Sequence, residues 1–191
     1  KHNRISMYLR SQSGVWTLRN TIVVPDDYNG TFPTSAEFDD VKGINCLSLS
    51  DDGFVLAAGI RHSWGSTSNI QANKGRVEAY YSTSGLWLNA SRLSAISDIV
   101  SDSYGASSWA GTSVALSGDG NTLTIGVPKI EYLSDGVADY ITIPDSSRGE
   151  IMTIGLWRQY NDGWMWPSHR YVADSDNRTG IGFNVDVSYD G

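Results

Sequence analysis

Three histidines, one cysteine and a scatter of carboxylates are the groups in this chain whose types could support catalysis or hold a metal. His2, His62 and His169 stand at no metal-ligand spacing from one another, and none lies near Cys46 in sequence. Neither a zinc site nor a cysteine–histidine nucleophile is therefore spelled out. No serine sits in a Gly-x-Ser-x-Gly elbow, and the glycine-rich loops follow neither the dinucleotide nor the P-loop pattern. Asp98 with Asp102, and Asp174 with Asp176, are spaced tolerably for an ion held in a loop, but their surroundings match no calcium motif. Carboxylates from distant strands could converge for glycoside hydrolysis. Asp186 is the acid to probe for that chemistry, since it alone interrupts a strand run of Leu, Val, Ser and Ala.

The elements that would position these groups follow from composition and from an internal repeat. Of 191 residues, 40% are hydrophobic and only 18% charged, with 20 glycines, 7 tryptophans and 10 tyrosines. Few charges with many glycines and aromatics describe an all-β chain with frequent tight turns. The net charge of −7 argues against a nucleic-acid partner, which needs a concentrated positive surface. No run of apolar residues is long enough to span a membrane as a helix. Lys1 opens the chain with no charged-then-apolar leader, as expected either if one is removed or if the chain starts internally.

The segment Asn45–Ile60 returns as Thr112–Val127, so that Gly53 and Gly120 are 67 residues apart. A third copy starts at Phe183 and reaches Gly191, 71 residues beyond Gly120. A second module keeps the same order: Gly75-Arg76-Val77-Glu78-Ala79-Tyr80 leads to Trp87, and Gly149–Ile154 leads to Trp157 and Trp164. Near the start, Arg4–Tyr8 leads to Trp16 in the same phase. Each unit reads as four strands. The first alternates through Leu47 and Leu49, or Val114 and Leu116, into an Asp-Gly turn expected to be type I′. The second passes through Leu56 and Ala58, or Leu123 and Ile125. The third is the Gly-x-Val/Ile segment, and the fourth carries the tryptophan. Trp16, Trp87 and Trp164 recur in register, which predicts packing residues. Cys46 aligns with Ser113 and Asn184 and reads as a small structural residue.

Four short strands repeated at this period describe the blades of a β-propeller; a sandwich rarely repeats its own sequence, and solenoid coils are shorter. The blades are expected at 43–100 and 111–170, with the end of one at 1–30 and the start of another at 181–191. A closed propeller needs about four to eight blades, so roughly two and a half imply a partial propeller. The ring would be completed by a longer protein or by several copies.

The stretch Gly111–Pro128, followed by Gly149–Ile154 and Trp164, resembles the signature of the FG-GAP repeat family, related to the repeats of integrin α-chain propellers. Many members of that family bind calcium through a loop of alternating acidic residues. The turns here, Ser50–Gly53 and Ser117–Gly120, are too short for six to eight oxygen ligands, so Asp51, Asp52 and Asp119 are expected to be turn residues. No cofactor is expected on that departure, with calcium open but unsupported by a ligand motif.

Trp64, Trp109, Tyr132 and Tyr140 lie in connections that differ between repeats and are candidate contact residues, or else fold back over the blade edge. Asn29, Asn89 and Asn177 head glycosylation sequons, a number that a chain this rich in Asn, Ser and Thr carries by composition. These features describe a non-enzymatic module for adhesion, recognition or assembly in a larger extracellular, cell-surface or virion protein. Its partner would be a protein, a glycan or a neighbouring subunit. The alternative is a propeller-fold carbohydrate-active enzyme.

Overall fold

The computed structural model describes residues 4–24, 43–61, 75–84, 86–92, 109–128, 149–155, 157–159, 163–165, 168–172 and 181–191. These residues form strands and turns, with no helix among them. Strands β1 (Arg4–Arg10) and β2 (Trp16–Val23) make an antiparallel hairpin. Strands β3 (Gly43–Leu49), β4 (Val55–Arg61), β5 (Arg76–Ser82) and β6 (Ala90–Arg92) follow one another in a four-stranded sheet. Strands β7 (Ser113–Leu116), β8 (Thr122–Val127) and β9 (Glu150–Gly155) repeat that order, and β12 (Ser168–Val172) completes a second four-stranded sheet beside β9. Between β9 and β12, β10 (Trp157–Gln159) and β11 (Gly163–Met165) pair only with each other. Every strand pairing is antiparallel, a single-residue parallel bridge joins Gly75 to Ala110, and no sheet closes on itself among the described residues.

Strand β4 of the first sheet is apolar on both faces, and both are covered. Val55, Ala57, Val77 and Ala79 pack against Leu123, Ile125 and Ile154 of the second sheet. On the opposite face Leu56, Ala58, Ile60, Tyr80 and Trp87 pack against Ile5, Ile22 and Val24 of the hairpin region. The hairpin, the first sheet and the second sheet therefore form three successive layers. Because side chains alternate along a strand, both parities of β4 must be apolar to hold a layer on each side. Each buried Leu, Ile or Val contributes about 1.5–3 kcal/mol of burial.

Three sequence expectations need correction. The turns at Gly53 and Gly120 are not type I′, which requires positive φ at both central residues. The glycines have φ of 72° and 69°, whereas Asp52 and Asp119 are absent from the positive-φ residues. Instead the Gly53 N–H donates to the Ser50 carbonyl at 2.9 Å, and the Ser50 hydroxyl donates to the Asp52 carboxylate at 2.6 Å. That side-chain lock holds the aspartate at negative φ and leaves only the glycine left-handed.

The fourth strand of a sheet does not carry the tryptophan. Trp87 precedes β6, and Trp164 lies on β11, in the two-stranded ribbon. Nor is Trp16 a packing residue. It is 63% exposed, where Trp87 is 5% exposed. The physical difference is a neighbour: Trp87 belongs to the face covered by the hairpin, while the face bearing Trp16 has no sheet over it among the described residues.

Candidate functional site

The feature built most deliberately by this sequence is the junction between successive units. At the first junction, the Cys46 thiol donates to the Gly111 carbonyl at 3.4 Å; at the second, the Ser113 hydroxyl donates to the Gly182 carbonyl at 3.1 Å. Cys46 and Ser113 are the same repeat position, and so are Gly111 and Gly182.

Glycine contacts recur in the same way. A methyl group at Gly59 would stand 3.0 Å from the Gly111 carbonyl carbon, and one at Gly126 would stand 2.9 Å from that of Gly182. Likewise a methyl at Gly75 would meet the Ala110 backbone nitrogen at 2.7 Å, and one at Gly149 that of Ile181 at 3.0 Å. Backbones approach so closely only where no Cβ intervenes. Further bonds seal the first junction: the Asn45 amide donates to the Thr112 carbonyl at 2.6 Å, and the Leu116 N–H donates to the Ser48 hydroxyl at 2.9 Å. Two consecutive unit pairs thus meet through equivalent atoms.

The Ser-x-Asp-Gly turns sit side by side along this junction. The Asp51 N–H donates to the Gly118 carbonyl at 2.9 Å, and the Asp119 N–H to the Tyr189 carbonyl at 3.4 Å. Within the turns the Asp52 carboxylate accepts from the Phe54 N–H, and the Asp119 carboxylate from the Asn121 N–H, both at 2.9 Å. The Ser117 hydroxyl, and next the Asn121 N–H, hold the Asp119 carboxyl below the ordinary carboxylate range. Acceptor bonds favour the ionised form. These oxygens are occupied in shaping turns. No group of three or more His, Cys, Asp or Glu is placed to hold a metal among the described residues.

The candidate residues fall in several places. Trp109 is buried, with φ of 55°, and its carbonyl accepts from the Thr112 N–H and hydroxyl at 3.1 and 2.7 Å. It folds back into the interior rather than presenting its ring to a ligand. Trp64, Tyr132 and Tyr140 lie outside the described residues, as do Asn29, Asn177, His2, His62, Asp98, Asp102, Asp174 and Asp176. Asn89 is exposed just before β6. Strand β12 places His169 opposite Thr153. Asp186 is exposed, and its carboxylate accepts from the neighbouring Val187 N–H at 2.9 Å. Burial pushes the Cys46 thiol above its ordinary range, against hydrogen bonds that pull it down. A thiol held protonated is a poor nucleophile.

Sequence reasoning missed the ion pair on the hairpin-facing side of the first sheet. Glu78 is fully buried, and its carboxylate receives Arg92 through two bonds of 2.6 and 2.7 Å, with Arg76 at 3.6 Å. The repeat held a signal: the position taken by Glu78 in one unit is taken by Met152 in the next, so an acid stands where an apolar residue is otherwise packed.

No helix of the described residues is long and apolar enough to cross a membrane. Set against protein-family models, curated proteins and solved structures, the chain matches none of them.

Proposed function

We propose that these residues form part of a β-propeller of the FG-GAP kind and act as a non-enzymatic recognition and assembly module of an extracellular, cell-surface or virion protein. One observation carries the reading: equivalent atoms join the first unit to the second and the second to the third. A relation between units that repeats is what a ring of blades is generated from. A stack of repeated units is a scaffold of the kind that suits recognition. The side chains described above supply packing, turn locking and ion pairing.

The test combines binding and turnover on one preparation. Immobilised glycans and surface proteins are screened for saturable binding, and chromogenic glycosides for hydrolysis. Saturable binding without hydrolysis supports the module. Hydrolysis that disappears in Asp186→Ala would replace it with the enzyme reading.

A further inference from the structure

Composition accounts for the number of sequons in the chain, but the structure decides how one of them is presented. Asn89-Ala90-Ser91 lies at the edge of the first sheet, where β6 is the last strand and pairs only with β5 among the described residues. Ala90 packs against the hairpin-facing cluster, and the adjoining Arg92 is tied to Glu78 by bonds of 2.6 and 2.7 Å. With the pairing of Ala90, Ser91 and Arg92 to Ser82, Tyr81 and Tyr80, these contacts fix the register of β6. Because successive side chains alternate, Ser91 is held on the other side of the strand from Ala90 and Arg92. Asn89 and Ser91 are both exposed, and no hydrogen bond or ion pair engages either side chain among the described residues. Other asparagines are used differently: the Asn45 amide donates to the Thr112 carbonyl at 2.6 Å, and the Asn121 amide to the Asp119 carboxylate at 2.7 Å. Exposed Leu86 and Leu88 stand immediately before the sequon. An open strand edge beside apolar side chains invites pairing with another chain, and natural sheets cover such edges.

We infer that Asn89 carries an N-linked glycan and that the sugar shields this edge. The inference rests on the extracellular reading, because the transfer belongs to secreted proteins. The donor is an oligosaccharide carried on a lipid diphosphate. The Asn89 Nδ2 forms a bond to the anomeric carbon of the first sugar as the bond from that carbon to the diphosphate oxygen breaks. The lipid diphosphate leaves with the electron pair, and one amide proton passes to a base of the transferase. The Ser91 hydroxyl is the group that the transferase reads beside the amide. A glycan is bulky and solubilising, so the folded chain accepts it only at a surface position. Asn89 meets that condition whether the sugar is added before or after folding.

The chain is expressed through the secretory pathway of cultured eukaryotic cells, with Asn29→Gln and Asn177→Gln silencing the other sequons. The expected product carries a single glycan, seen as a gel shift that peptide N-glycosidase collapses, leaving aspartate at position 89 in the peptide mass spectrum. Ser91→Ala should remove the shift and Ser91→Thr should keep it. Enzymatic removal of the sugar from the folded chain should raise its light scattering at high concentration, and unchanged scattering would overturn the shielding role. A folded chain bare at position 89 overturns the inference, as does a shift that survives Ser91→Ala. If the silenced chain is retained in the cell, the same peptide read from the retained wild-type chain decides. A bare chain that still binds a surface ligand sinks this inference alone. A glycosylated chain that binds none sinks the recognition reading alone.

Discussion

Replacing Gly59 by alanine, and separately Gly126, sets two physical arguments against each other with opposite signs. Both glycines lie inside strands, where alanine ordinarily stabilises by about 0.4–1 kcal/mol through a less flexible unfolded chain. The junction argues the reverse. The new methyl at Gly59 would stand 2.5 Å from the Cys46 sulfur and 3.0 Å from the Gly111 carbonyl carbon. Carbon atoms rest at about 3.5–4.0 Å and the Gly111 carbonyl oxygen stands nearer still, so β4 and residue 111 must part by at least roughly half to one ångström. A gap of that size forfeits about a quarter to a half of each contact's dispersion energy. The loss falls on the layer that holds Val55, Ala57, Val77 and Ala79. Overpacking of this kind costs about 1–3 kcal/mol, which exceeds the entropic gain. We expect each variant to lose about 1–2 kcal/mol net, or roughly 2–8 °C in Tm for a chain of this size. Urea and thermal melts followed by tryptophan fluorescence measure both. The two variants should agree in sign and approximate size, because the two junctions are equivalent. A rise in midpoint for either would refute the close approach at that junction.

The recurrent tryptophans should behave oppositely. Trp87→Ala removes a buried ring and its 2.8 Å bond to the Gly53 carbonyl and should cost about 3–5 kcal/mol, whereas Trp16→Ala should stay within about 0.5 kcal/mol in dilute monomer. Equal losses in paired melts would contradict the layer assignment. Glu78→Ala removes the buried carboxylate that holds the half-exposed Arg92 and faces the buried Arg76, and should destabilise by about 1–3 kcal/mol. A double substitution of Glu78 and Arg92 by apolar residues should recover much of that, and no recovery in a double-mutant cycle would show that the pair acts through something other than charge compensation. Cys46 should alkylate slowly at pH 8 in the folded chain and rapidly in urea, since burial keeps its thiol protonated. Cys46→Ser should be close to neutral, because Ser113 makes the equivalent bond at 3.1 Å. Fast labelling of the native chain would place the sulfur outside the junction.

Much of the fold was legible in the sequence because strands advertise themselves locally. Alternation through Leu47 and Leu49, the Asp-Gly pairs and the Gly-x-Val/Ile segment predict β3, β4, β5, β7, β8 and β9, and the structure has strands at each. Turn type was not legible, because the lock is a side-chain bond from Ser50 to Asp52, and the dipeptide alone does not specify φ. The fourth strand was misplaced at the tryptophans, since β6 and β12 are short and are defined by pairing with β5 and β9.

Sequence by itself determined that the chain is all-β, that its units recur, and which positions are equivalent, because those properties follow from side-chain period and turn chemistry. Only the tertiary structure decided what each equivalent position does. Trp16 and Trp87 have one sequence role and opposite surroundings. Cys46 and Ser113 differ in sequence and make one contact. Burial and hydrogen bonding are set by the neighbouring layer, and a neighbour about seventy residues away in the chain leaves no trace in local pattern.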